Sequence, residues 1–351
     1  MTPEEKPSAA EAAERNPSAR RSGSGRLATV RADFFLNAAE RLTEQERALM
    51  TAMLHCMIGD VADELRSILP PGWAAANDES NAALIDDLMS AELLDEPELM
   101  LLLLRRAEEE RVAAGAKMRS GRHDARALQG LVSHEDGAVS AAAMALILAR
   151  GRRRDRFGRC LITIDDLAPG AAGRIIHAIA AALRRDLPSG RGPGEVDATF
   201  ADASREVIGR LDEGRSIDAL IHSLVNLLDE KGALGEDLLL AAANEGEVAF
   251  LAHAFASRAG ITDESALDEL LSGDGRRIIA LLRVASVSRE LGAGLLAAIG
   301  DLLGIDDPGQ AIAIFDRMTE DQVSEARAWL TTSPGYRSAL DALGEGHGKR
   351  P

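Results

Sequence analysis

Apolar residues recur at helical spacing through most of the chain, and polar breaks cut them into short lengths. The pattern is clearest in LLLAAANEGEVAFLAHAFASRAG (Leu238–Gly260) and LDELLSGDGRRIIALLRVASVS (Leu267–Ser288). Each predicts a short helix, a break holding an acid and a glycine, and a longer apolar helix. Leu238 precedes Gly246 by eight residues, and Leu267 precedes Gly275 by eight. Helices this apolar must bury themselves against neighbours, and stacked helix pairs that do so form an α-solenoid. The expected fold is all-α: a helical-repeat solenoid of irregular helix pairs.

Other helices follow from local signals. Thr43 and Glu46 have capping-box spacing ahead of Met50, Met53, Leu54, Met57 and Ile58. Pro70-Pro71-Gly72 is a helix stop. A long helix is expected from Pro97 to about Met118, with Leu99, Leu102, Leu103 and Ala107 as its apolar stripe and Glu108–Glu110 in water. Ser133–Gly137 followed by AVSAAAMALILA repeats the break-then-helix pattern. Asp86-Asp87, Asp165-Asp166 and Asp306-Asp307 read as helix starts, where carboxylates accept backbone N–H bonds. CLITI (Cys160–Ile164) alone looks extended, and fits the start of a helix equally well.

Residues 1–30 carry almost no large apolar side chains before Val30 and read as a disordered tail. Residues 31–187 form an expected N-terminal helical block. Three glycines and two prolines crowd Pro188–Gly194, so 188–199 is expected to be a linker. Residues 200–344 form the expected C-terminal repeat block, and 345–351 a disordered end.

The stretch RFGRCLITIDDLAPGAAGRIIHAIAAALRRDL (Arg156–Leu187) resembles an alphaproteobacterial domain-of-unknown-function family, DUF2336. The later blocks ASREVIGRLDEGR, GRRIIALLRVASVSR and FDRMTEDQVSEARAWLTTSPGYRSALDAL share the resemblance in order and spacing. It covers roughly Asp33 to Leu343. It implies HEAT-like helical repeats and a cytoplasmic bacterial protein, and carries no catalytic residue over.

Composition narrows the function. Aromatics are 3% of the chain, so the core must come from Leu, Ala, Ile and Val. The net charge is −17, and residues 200–351 hold 14 Lys/Arg against 26 Asp/Glu. Neither nucleic acid nor an anionic membrane suits that surface. The two cysteines, Cys56 and Cys160, make no disulfide framework. No basic-then-apolar leader begins the chain, so secretion is not expected.

One basic cluster stands out: Arg150, Arg152, Arg153, Arg154, Arg156 and Arg159 within ten residues. Guanidinium groups dock carboxylate or phosphate in two-pronged fashion, so the cluster is a candidate partner-binding site. The competing reading is a basic helix end that pairs with the chain's own acids. Trp329 and Tyr336 are expected to seal the last repeat, and an exposed hot spot is the other reading.

The seven histidines, His55, His123, His134, His177, His222, His253 and His347, are scattered, with no HExxH and no CxxC. His253, on an apolar helix, reads as a core or groove residue. GRGPG (Gly190–Gly194) lacks the lysine of a phosphate loop. No cofactor, metal or catalytic residue is expected. The leading expectation is a non-enzymatic adaptor or regulator for an unnamed protein partner. The alternative is a small-ligand or enzymatic module with a site assembled from distant His, Asp and Glu residues. Convergence of two or more histidines with carboxylates in one pocket is the observation that favours the alternative.

Overall fold

A computed structural model describes residues 42–71, 73, 78–120, 127–185 and 192–343. The expected tails at 1–30 and 345–351, together with His123 and His347, lie outside these residues. Contacts divide the chain into Met1–Arg47 and Ala48–Pro351. Within the first unit the Thr43 hydroxyl and backbone N–H both meet the Glu46 carboxylate at 2.8 Å, the expected capping box.

The described residues form sixteen α-helices and no β-strand. The first seven are α1 (Glu44–Ile68), α2 (Asp78–Ser90), α3 (Pro97–Ser120), α4 (Ala127–Gly130), α5 (Gly137–Arg152), α6 (Pro169–Arg185) and α7 (Pro193–Ile208). Then come α8 (Ile217–Glu230), α9 (Glu236–Asn244), α10 (Val248–Ala259), α11 (Asp263–Leu270) and α12 (Gly275–Val284). The last four are α13 (Arg289–Ile299), α14 (Pro308–Arg317), α15 (Glu320–Leu330) and α16 (Pro334–Ala342). The CLITI stretch gives one isolated antiparallel bridge, Arg154 to Cys160, and then a 3-10 turn at Ile164–Asp166.

Local chemistry sets the helix ends. Asp136, Ser216, Thr262, Asp274, Ser288, Asp307 and Thr319 each cap the following helix through a side-chain oxygen. Asp307 does so directly before Pro308, as expected. Asp86-Asp87 does not start a helix. The pair lies in the last turns of α2, where Asp87 meets Arg185 at 3.1 Å.

Helix α10 is the hub. It touches α3, α8, α9, α11 and α12. Its residues from Val248 to Ala256 are all buried, and Phe250 and Phe255 are fully enclosed. A helix buried on every side is what VAFLAHAFASRA requires, since it offers no polar face until Ser257. Around it, α9 packs on α13, α12 on α14 and α15, and α13 on α14. These helices thus bury their apolar faces against one another.

The two breaks marked in the sequence do specific work. Glu245 accepts the Ala127 N–H at 2.9 Å and so fixes the start of α4. Glu247 binds Arg150 at 2.7 Å. Gly246 turns the chain with φ of 71°. In the second break the matching left-handed glycine is Gly273, φ 69°, and not Gly275, which already lies in α12. Asp274 caps α12 there, so the turn lies two residues upstream of the expected position.

The expected linker is corrected in part. Its first residues, 188–191, lie outside the described residues, but Pro193–Thr199 forms the first two turns of α7, with Pro193 in the first turn. Helix α7 packs on α6 from the expected N-terminal block. Helices α4 and α5, also from that block, join the core built around α10. Helix α7 thus begins within the glycine-proline run. Glu108–Glu110 also differ from expectation. They are half-buried, and Glu109 and Glu110 pair with Arg106 at 2.7 Å and Arg154 at 3.3 Å.

Candidate functional site

Three side chains from three helices meet beside the hub. Ser216 caps α8, and that helix carries Asp218 and His222 one turn apart on a shared face. His253 sits mid-way along α10, the one ionisable residue in its buried stretch. Gly260, φ 68°, turns the chain, and Thr262 caps α11 so that Asp263 occupies its first position. His222 Nδ1 lies 2.8 Å from Asp263 Oδ2. His253 Nδ1 lies 3.0 Å from the same oxygen. The two rings stand edge to face, 6.0 Å apart.

The contacts are unequal. His222 is well aligned with the carboxylate and about half exposed. His253 is 7% exposed, and its Nδ1 makes no properly angled hydrogen bond despite the short distance. Burial pushes the Asp263 carboxyl up, but His253 and His222 outweigh that effect and hold it below the usual range.

These groups line a cleft of about 380 Å³, with Arg105, Asp218, Glu264 and Leu267 among its other walls. Arg105 and Arg106 both donate to Asp218, Arg106 Nη2 at 3.0 Å. Arg106 is 4% exposed and also binds Glu109, so its buried charge is neutralised twice. Burial raises the Asp218 carboxyl, yet Arg106, Arg105 and His253 bring it down to about 2. Asp218 is therefore a fixed anion at neutral pH. Arg105 and Arg106 are both committed to Asp218, which leaves Asp263 and Glu264 as the carboxylates of the cleft wall with no guanidinium among the described residues bound to them in the cleft.

The arginine cluster is largely spent inside the molecule. Arg150 binds Glu247, Arg153 binds Asp166 and the Arg215 carbonyl, Arg154 binds Glu110, and Arg159 binds Asp155 at 2.6 Å. That matches the competing reading for four of the six. Arg152 and Arg156 remain exposed, and Arg156 lies 4.8 Å from the ring of Phe157, which is 69% exposed. Burial pushes the nearby Cys160 thiol up to about 11, so it holds almost no thiolate at neutral pH.

The aromatic seal is also revised. Trp329 is partly buried against the main core, whereas Tyr336 is 58% exposed. Arg337 of α16, a residue with no signal in the sequence, is 5% exposed and binds Glu269 and Ser265 of α11. A charged residue in a helix near the chain's end gives no hint of burial until its partner Glu269 is seen.

Residues 88–328 match the family described as uncharacterised proteins conserved in bacteria, DUF2336. The chain belongs to that family. No curated protein and no solved structure matches it. The match runs from the end of α2 to within α15 and so includes Arg105, Asp218, His222, His253 and Asp263. No described helix is long and apolar enough to cross a membrane.

Proposed function

We propose that this protein is a non-enzymatic, HEAT-like helical-repeat module of the bacterial cytoplasm whose cleft binds a small cationic ligand. The observation that carries this reading is the convergence of His222, His253 and Asp263 in one cleft. Glu264 supplies further negative charge, whereas Asp218 is already committed to Arg105 and Arg106. The cleft walls offer no hydroxyl or thiol nucleophile among the described residues, which favours binding over covalent catalysis. The hub position of α10 supports a further role: a ligand touching His253 acts on the helix at the centre of the packing.

A thermal-shift screen of the full chain with small amines and metal ions tests the reading. A ligand at a hundredfold its Kd stabilises the native state by about 2.7 kcal/mol. The expected result is a rise in Tm for one cationic class that His222→Ala abolishes. If no cation raises Tm, or if His222→Ala leaves the rise intact, the reading is wrong.

A second reading, the protein-binding adaptor, draws on one observation. Met144 and Leu148 are 40% and 53% exposed, one turn apart on α5. Arg152, Arg156 and Phe157 follow in sequence. Loss of a specific crosslinked partner in Leu148→Asp, with His222→Ala unaffected, would favour this reading over the cleft.

A further inference from the structure

We infer that the His222–His253–Asp263 cluster is a binding site for a divalent first-row transition-metal ion of the zinc type. The inference rests on the cleft reading above and names the cation.

The geometry comes first. A ring nitrogen of His222, a ring nitrogen of His253 and a carboxylate oxygen of Asp263 all lie within 4.8 Å of one another. One ion can touch all three. The ligands stand on α8, α10 and the first turn of α11, and two capped helix ends fix their positions. Ligands mounted on regular, packed elements hold their spacing with little ordering cost on binding.

The second observation is independent of that proximity. His253 Nδ1 is buried without an aligned hydrogen bond. A buried polar atom with no aligned hydrogen bond is costly, so it needs an explanation. The single Asp263 oxygen already serves His222 along a good line, and His253 approaches it off that line. A cation at the common point accepts a lone pair from each imidazole and one from the carboxylate. That arrangement gives His253 the partner that hydrogen bonding alone withholds.

Donor chemistry selects the metal. Two imidazoles and one carboxylate suit zinc and its neighbours, whereas magnesium and calcium prefer all-oxygen sets. Three protein ligands leave a position open, and here it faces the cleft. The exposed edge of His222 provides the way in. Glu264 adds negative charge nearby without belonging to the triad.

The test uses the full chain, stripped with chelator and titrated with Co²⁺ and then Zn²⁺. The expected result is a single-site visible absorption band of low-coordinate Co²⁺ that Zn²⁺ displaces. His222→Ala, an exposed position with no core role, is expected to weaken Zn²⁺ binding by about tenfold or more. Asp263→Asn is expected to do the same while preserving shape. Affinity should be lower in acid, because protons compete for the same lone pairs. Absence of the Co²⁺ band, or a band that neither substitution alters, overturns the metal site. If metals fail but an amine still raises Tm through His222, the metal inference falls and the cationic cleft stands. If both fail, both fall.

Discussion

Replacing Glu269 with alanine is expected to destabilise the folded chain by about 3–5 kcal/mol, read from urea unfolding. The Glu269 carboxylate accepts Arg277 Nε at 2.8 Å, Arg277 Nη2 at 3.0 Å and Arg337 Nη1 at 3.1 Å. The Glu269 and Arg337 side chains are 4% and 6% exposed. Ser265 Oγ accepts the other arm of Arg337 at 2.7 Å but carries no charge. Deleting the carboxylate leaves a buried guanidinium without its ion-pair partner, and the cost is the desolvation of that charge. Arg277 is different: its side chain is 45% exposed, so water can replace its partner. Arg277→Ala is therefore expected to cost about 1 kcal/mol or less. Equal losses in the two variants would contradict this account of the α11–α16 contact.

Gly246→Ala is expected to cost about 2–4 kcal/mol, the sum of a left-handed backbone and a clash. Gly246 has φ of 71°. A Cβ there would stand 2.8 Å from Ala113 Cα and 2.9 Å from the Val112 carbonyl oxygen. Both atoms are backbone of α3, and a helix backbone cannot step aside as a side chain can. Gly260 isolates the two effects. Its φ is 68°, but a Cβ there meets nothing within 4 Å. Gly260→Ala should show the conformational cost alone, about 1 kcal/mol. The difference between the two variants measures how tightly the α9–α10 turn presses on α3. If Gly246→Ala is no worse than Gly260→Ala, that contact is weaker than its distances imply.

The helices were legible because their signals are local. Thr43 with Glu46, Asp136, and Asp307 before Pro308 each announce a start, and each caps one. The apolar periods of Leu238–Gly260 and Leu267–Ser288 gave the pairs, and only the second turn glycine was displaced. The helix over Pro193–Thr199, where a linker is expected, has a physical reason. Glycine and proline report backbone freedom, and Pro193 is as compatible with a helix's first turn as with a linker. Pairing of α7 with α6 is a tertiary fact that composition does not encode. The arginine cluster was conspicuous because it is contiguous, yet its partners Glu110, Asp166 and Glu247 lie on other elements.

The cleft was illegible for the converse reason. His222, His253 and Asp263 are far apart in sequence, and no spacing rule joins them. Two partial signals existed. His222 follows Asp218 by one helical turn, and His253 interrupts an otherwise apolar helix. Their convergence depends on how α8 and α11 pack against α10, which only the fold supplies.

Imidazole ring nitrogens report on that convergence directly, through long-range ¹H–¹⁵N correlation spectra of the ¹⁵N-labelled chain. Asp263→Asn is expected to move the ring signals of both His222 and His253 while those of His134 and His177 stay in place. Ring signals of His253 that ignore the substitution would mean the three groups do not share one site.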